Sequence, residues 1–227
     1  MKQLLLKLDT ERAQTLDSFV VGRHAEMIEL LQRFAQRQPG SFGERAAYLW
    51  GESGAGKTHL LRALESGPTA RYLSAASALR DFECTPDVDL YLIDDCQTLD
   101  PEQQVAAFNL YNVVKERQGL FVASGNLPPA QLAVRDDLRT RLGWGLIYQL
   151  HGLTDQEKID ALERAAAALG VTLPDGILPY LITHFRRDMP SLSGMLRALI
   201  NHAMELKHPI TMPFLRDVMQ QQKLNDE

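Results

Sequence analysis

The stretch Gly51-Glu52-Ser53-Gly54-Ala55-Gly56-Lys57-Thr58 constrains this chain more than any other. It fits the spacing G-x-x-x-x-G-K-[ST], and phosphate chemistry requires each part. Gly51, Ser53, Gly54, Ala55 and Gly56 are small enough for backbone N–H groups to curl around phosphate oxygens. Lys57 adds a point charge near the outer phosphates, and Thr58 offers a hydroxyl to Mg2+. His59 follows directly and is counted with the nucleotide contacts. An apolar run, Ala46 to Trp50, precedes the turn, and a helical pattern from Thr58 to Glu65 follows it. Strand, glycine turn and helix in that order are the context in which this motif binds phosphate, because the helix N-terminus adds its dipole.

The rest of the chain supplies alternating elements around that turn. Residues 24–37 read as an amphipathic helix, with Met27, Ile28, Leu30, Leu31 and Phe34 at helical spacing. Strands are expected at 70–74, 88–93, 120–123 and 146–150, with a helix from Pro101 to about Arg117. The almost continuously apolar 88–93 run suits a strand buried on both faces. The expectation is an α/β fold: a five-stranded parallel sheet flanked by helices. After residue 152 the pattern becomes helical only. Thr154-Asp155-Gln156-Glu157 reads as a capping box, opening a helix that Gly170 closes. Further helices are expected near 174–185, 190–206 and 212–222, with Pro190 and Pro213 where a first turn tolerates them. The predicted organisation is a tail (1–16), a nucleotide-binding α/β domain (17–152) and a small all-helical lid domain (153–227).

Leu90-Tyr91-Leu92-Ile93-Asp94-Asp95 is the natural partner of the phosphate loop. An acid at the end of a buried strand can reach the metal of a neighbouring loop. Asp94 is expected to hold Mg2+ directly or through water, and Asp95 to polarise an attacking water.

Composition narrows the functions open to such a chain. It has 227 residues, 45% hydrophobic and 23% charged, with a net charge of −5. That balance argues against a surface dedicated to the phosphate backbone of DNA. Its two cysteines, Cys84 and Cys96, have no zinc-like spacing and read as buried thiols in a reducing compartment. No run of about 18 apolar residues exists to span a membrane, so a cytoplasmic protein without membrane attachment is expected.

Three further segments carry a resemblance: Phe19-Val20-Val21-Gly22, Ser124-Gly125-Asn126, and Arg139-Thr140-Arg141-Leu142-Gly143-Trp144-Gly145. With the phosphate loop and the Asp94-Asp95 strand, they resemble the AAA+ domain of the bacterial replication initiator DnaA over residues 17–222. The initiator also has an N-terminal domain and a DNA-binding helix-turn-helix, both of which this chain is expected to lack. Gln3-Leu4-Leu5-Leu6-Lys7-Leu8 resembles instead the hexapeptide that docks on the sliding clamp of DNA polymerase III. An initiator-like AAA+ domain with such a tail resembles the Hda family, regulators that inactivate DnaA.

The resemblance implies roles at matching positions. Arg141 corresponds to the arginine finger inserted into a partner's nucleotide site, although by spacing alone it is equally a surface arginine on a helix end. Asn126 corresponds to a sensor that places the lytic water, and equally suits a turn before Pro128-Pro129. Val20 and Val21 would line the adenine pocket, a role compatible with core packing. Gln3, Leu4, Leu6 and Leu8 would enter the clamp groove in extended form; the leucines could instead pack as a first strand. The family's second sensor arginine falls on Pro190, and Arg186 and Arg187 lie just upstream. The implied partners are DnaA and the clamp, with ADP or ATP and Mg2+ as cofactors, self-association possible and no sequence-specific DNA binding. Weak intrinsic ATP hydrolysis is compatible with Asp94-Asp95. The competing readings are a helicase loader or autonomous DNA-handling ATPase and, more distantly, a small-molecule P-loop kinase.

Overall fold

The computed structural model describes residues 15, 16, 19, 24–38, 44–65, 67–186 and 188–225. The tail positions Gln3, Leu4, Leu6 and Leu8, and Val20 and Val21, lie outside the described residues. The chain divides into two compact units, Met1–Gly152 and Leu153–Glu227.

The first unit contains α1 (Ala25–Ala35), β1 (Ala46–Gly51), α2 (Lys57–Leu64), β2 (Ala70–Leu73), β3 (Leu90–Ile93), α3 (Pro101–Glu116), β4 (Leu120–Gly125), α4 (Asp136–Leu142) and β5 (Leu146–Leu150). The strands form one sheet in the order β2-β3-β4-β1-β5, and every pairing is parallel. Alternation along each strand divides the core in two. Ala47, Leu49, Leu90, Leu92, Leu120 and Val122 meet α1 and α2 on one face. Tyr48, Tyr91, Ile93, Phe121 and Ala123 meet α3 and α4 on the other. Each large side chain so buried contributes roughly 1.5–3 kcal/mol, which fixes register, since a one-residue slip would turn every side chain to the wrong face.

Two expectations change. β3 starts at Leu90 and not at Val88, because the N–H groups of Asp89 and Leu90 both turn to the Thr69 carbonyl as the chain enters the sheet. Cys84 is only half-buried, while Cys96 is fully buried. Helix α4 is foreshadowed only by the reading of Arg141 as a surface arginine on a helix end; its seven residues are too few to show a period.

The second unit comprises α5 (Asp155–Ala168), α6 (Ile177–His184), α7 (Met189–Leu206) and α8 (Met212–Asn225). Thr154 caps α5 reciprocally: its Oγ1 accepts from Glu157 N at 3.2 Å, and its own N–H reaches Glu157 Oε2 at 2.8 Å. Gly170 takes the left-handed conformation (φ 74°) just past the end. Pro190 lies in the first turn of α7, where Asp188 Oδ1 accepts from Ser191 N at 2.9 Å. Leu162, Leu181, Leu192, Leu199 and Leu215 form the centre of this unit's own core.

Strand order positions the site. β1 and β4 are neighbours, yet β1 leads to α2 on one face and β4 to α4 on the other. Chains leaving adjacent strands in opposite directions open a crevice at their carboxyl ends, where α/β sheets bind ligands.

Candidate functional site

The phosphate loop lies at that crevice. Gly51 ends β1 beside β5, and a Cβ there would meet the Leu150 carbonyl oxygen at 2.1 Å. Gly56 immediately precedes α2 at φ 97°, and a Cβ would strike the Phe19 ring at 2.7 Å. A side chain at Gly56 is therefore excluded by conformation and by contact. Ala55 is buried, whereas Ser53, Gly54 and Thr58 are exposed. Lys57 is 7% exposed, and its ammonium donates to the carbonyls of Gly51 at 2.8 Å and Glu52 at 2.9 Å. These bonds bend the stem back over the loop, so its charge sits where the loop curls. His59 turns toward the segment before α1: its Nε2 is 3.2 Å from the Thr15 carbonyl oxygen and its ring 6.1 Å from that of Phe19.

Asp94, 4% exposed, follows β3 two strands away. A buried carboxylate requires donors, and two are in place. Tyr72 O–H donates to Oδ2 at 2.7 Å, and Ser124 O–H donates to Oδ1 at 2.5 Å. Burial first, and the bond to Asp94 second, push the Tyr72 phenol well above its usual range, so it stays a donor. Arg62 stacks 3.4 Å over the Tyr72 ring and pairs with Glu65. The Ser124 oxygen accepts from Asp95 N at 2.8 Å. Asp95 adopts a left-handed conformation (φ 48°), and its Oδ1 receives the Gln97 amide at 3.2 Å. Gln97 Oε1 accepts in turn from Asn126 N, also at 3.2 Å. Thus Asp94, Asp95 and Asn126 are joined through Ser124 and Gln97. The turn carrying Asn126 is held from beneath by Tyr48, whose hydroxyl donates to the Leu127 carbonyl at 3.0 Å. That hydroxyl passes where a Cβ on Gly125 would stand, 2.0 Å away.

Sequence reasoning assigned no role to Tyr72 or Gln97, and Ser124 entered only as part of the Ser124-Gly125-Asn126 segment. A fully buried serine ending the apolar run Leu120–Ala123 was the available signal, since a polar group is buried there only with partners.

Arg141 is elsewhere. It projects from α4 on the α3 face, and its Nε donates to Asn112 Oδ1 at 2.8 Å. The guanidinium lies 4.0 Å from the centre of the Trp144 ring and 5.3 Å from that of Phe108. None of these contacts involves the phosphate loop. Arg186 is exposed, whereas Arg187 and the Pro190 side chain lie outside the described residues. A surface groove of about 780 Å³ along α3, lined by Leu79, Cys84, Val105 and Val113, includes none of the residues above.

The loop fits the phosphates of a nucleotide: Gly54 and Gly56 are left-handed, as a tight loop that turns N–H groups toward an anion requires, and the Lys57 ammonium is held at the loop's own carbonyls. The acid pair fits Mg2+. Each Asp94 oxygen accepts one hydrogen bond and retains a further lone pair. Among the described residues no cluster of three or more His, Cys, Asp or Glu could hold a metal without help. That suits a cation that takes one or two protein groups plus phosphates and water.

A parallel five-stranded sheet in this order, with the phosphate loop after β1 and paired acids after β3, defines a AAA+ nucleotide-binding domain. Residues 155–219 match the family model described as Hda, lid domain. An uncharacterised protein of Haemophilus influenzae is 32% identical over 231 residues, spanning 96% of this chain and 98% of its own. The chromosomal replication initiator protein DnaA of Gluconobacter oxydans is 30% identical over 227 residues; the match covers 90% of this chain but 47% of the initiator. Domain III of Thermotoga maritima DnaA superimposes with a TM-score of 0.73 at 19% identity, covering 92% of this chain and 97% of that one. A DnaA bound to AMPPCP and single-stranded DNA gives 0.68 at 20% identity, over 86% and 68%. The chain belongs to the Hda-like, DnaA-related family of AAA+ proteins. Among the described residues no helix is long and apolar enough to cross a membrane.

Proposed function

We propose that this chain regulates replication initiation by presenting Arg141 to the ATP held by DnaA and accelerating its hydrolysis, while Gln3, Leu4, Leu6 and Leu8 anchor it on the sliding clamp. The observation that carries this reading is the mounting of Arg141. It is fixed by Asn112 and Trp144 on the α3 face, opposite the face on which the phosphate-loop helix packs. An arginine so held is poised for a nucleotide brought by another protein. Guanidinium suits the task, being permanently charged and fork-shaped.

The chain's own site holds an adenine nucleotide, ADP or ATP; Val20 and Val21 would line the adenine pocket, His59 would be among the nucleotide contacts, and the loop would surround the phosphates. Thr58 and Asp94 would take Mg2+, which neutralises phosphate charge when bound. Asp95 and Asn126, tied through Gln97, leave the means to orient a water. That link favours a second reading, an autonomous DNA-handling ATPase.

The deciding experiment measures hydrolysis of DnaA-bound ATP in the presence of DNA-loaded clamp. The wild-type chain is expected to accelerate it, while Arg141→Ala and Gln3→Ala fail. A wild type that leaves DnaA-bound ATP untouched but turns over ATP unaided would sink the regulatory reading and leave the autonomous one.

A further inference from the structure

Arg141 is not the only cation on its indole. Trp144 is 50% exposed in the turn after α4, held by Trp144 N–H donating to the Arg141 carbonyl at 3.1 Å. The following residue, Gly145, passes so close to β1 that a Cβ would meet the Ala46 carbonyl oxygen at 2.4 Å. The Lys115 ammonium, from α3, lies 4.1 Å from the centre of the same ring that carries the Arg141 guanidinium at 4.0 Å. The two charges therefore lie within about one Debye length of each other, roughly 8 Å at physiological ionic strength. Among the described residues neither takes part in an ion pair. Two like charges gathered on one exposed ring, with no acid at ion-pair distance among the described residues, make a surface suited to a polyanion.

The identity of that anion follows from how the cations are held. Asn112 takes the Nε–H of the guanidinium and Trp144 lies against it, leaving four of its five N–H donors for a ligand. Single-strand binding surfaces instead offer a free aromatic face to successive bases along a charged groove. Here the indole already carries two cations, and the chain's net charge is −5. We propose that Lys115 and Arg141 form a two-cation clamp on Trp144 that grips the triphosphate of a nucleotide carried by a partner, with Asn112 as the positioning residue that aims the guanidinium. This rests on the reading of Arg141 as an arginine supplied in trans.

The test uses the full chain with DnaA, ATP and DNA-loaded clamp, and reads maximal stimulated rate separately from the concentration giving half of it. Arg141→Ala is expected to lose about 10³-fold or more in rate. Lys115→Gln is expected to lose about tenfold in maximal rate, the worth of one charge-assisted contact, with Lys115→Arg restoring it. Asn112→Leu should lower the maximal rate at an unchanged half-maximal concentration and melting temperature, and Asn112→Asp, which keeps the acceptor, should recover part of it. If Arg141→Ala abolishes stimulation while Lys115→Gln keeps the full rate, the clamp is overturned and the function stands. If Arg141→Ala keeps full stimulation, the function falls and the clamp falls with it. Salt-dependent quenching of tryptophan emission by oligo(dT), absent in Trp144→Leu, would overturn the clamp by assigning the surface to nucleic acid.

Discussion

Ser124 has a single hydroxyl, and both acids of the site depend on it. It donates to Asp94 and accepts from the Asp95 backbone, with no solvent to replace either bond. Ser124→Ala leaves a buried carboxylate one donor short and a backbone N–H without its acceptor. The expected loss is about 1–3 kcal/mol of stability, measured by denaturant unfolding, together with weaker nucleotide binding; an unchanged midpoint would count against the network. The two thiols should separate cleanly. Burial, with Asp94 and Asp95 adding to it, pushes the Cys96 thiol up to about 12, so it stays protonated and sealed at any physiological pH. Half-buried Cys84, which accepts from Arg117 at 3.4 Å, is reachable. A thiol reagent at pH 8 is expected to label one cysteine in the native chain and two in denaturant. The phosphate loop was legible because its residue types are forced by conformation. Tyr72 and Ser124 were not, because β2 and β4 bring them to Asp94 from distant stretches of sequence. The pairing of Lys115 with Trp144 was not legible for the same reason: only the packing of α3 against α4 makes them neighbours.

At the scale of elements, strands and long helices followed from period and capping. The Thr154 cap and the Gly170 stop lie where the sequence puts them. Helix α4 did not follow from period, yet its charges announce it: Asp136 and Asp137 in the first turn, Arg139 and Arg141 in the last, each complementing the helix dipole. Helix α7 offers a test of capping by pH. Partial burial raises the Asp188 carboxyl, but the bonds from Ser191 outweigh it and hold the group below the usual carboxylate range. A depressed acid contributes stability that is complete above its unfolded value, about 3.9, and is lost as pH falls through the lower folded value. Asp188→Ala is expected to cost about 1 kcal/mol near neutrality. Its deficit relative to wild type should shrink as unfolding is followed below pH 4. A deficit independent of pH would mean that the carboxylate does not act as the cap.

For the whole molecule, each unit has its own apolar centre, the first about the sheet and the second among α5 to α8. Residues 153–227 are expected to fold as an isolated fragment, with helical circular dichroism and a cooperative melt; a featureless melt would tie the helices to the first unit. Nucleotide should stabilise the intact chain by about 2.7 kcal/mol at a hundred times its dissociation constant. In Lys57→Ala that gain should vanish, as read by thermal melting with and without ADP or ATP and Mg2+.

The two sides of the sheet carry different equipment, the arginine with α3 and α4 and the phosphate-loop helix with α1. Such a body is built like a plug with its socket at the back. Across a two-fold axis, twins present the same patch to one another, so through one shared patch neither can both give its arginine and receive the other's. If Arg141 acts in trans as proposed, reciprocal exchange of arginines between two copies is not expected. On that proposal a contact made through Arg141 is expected to run in a single direction, from giver to receiver.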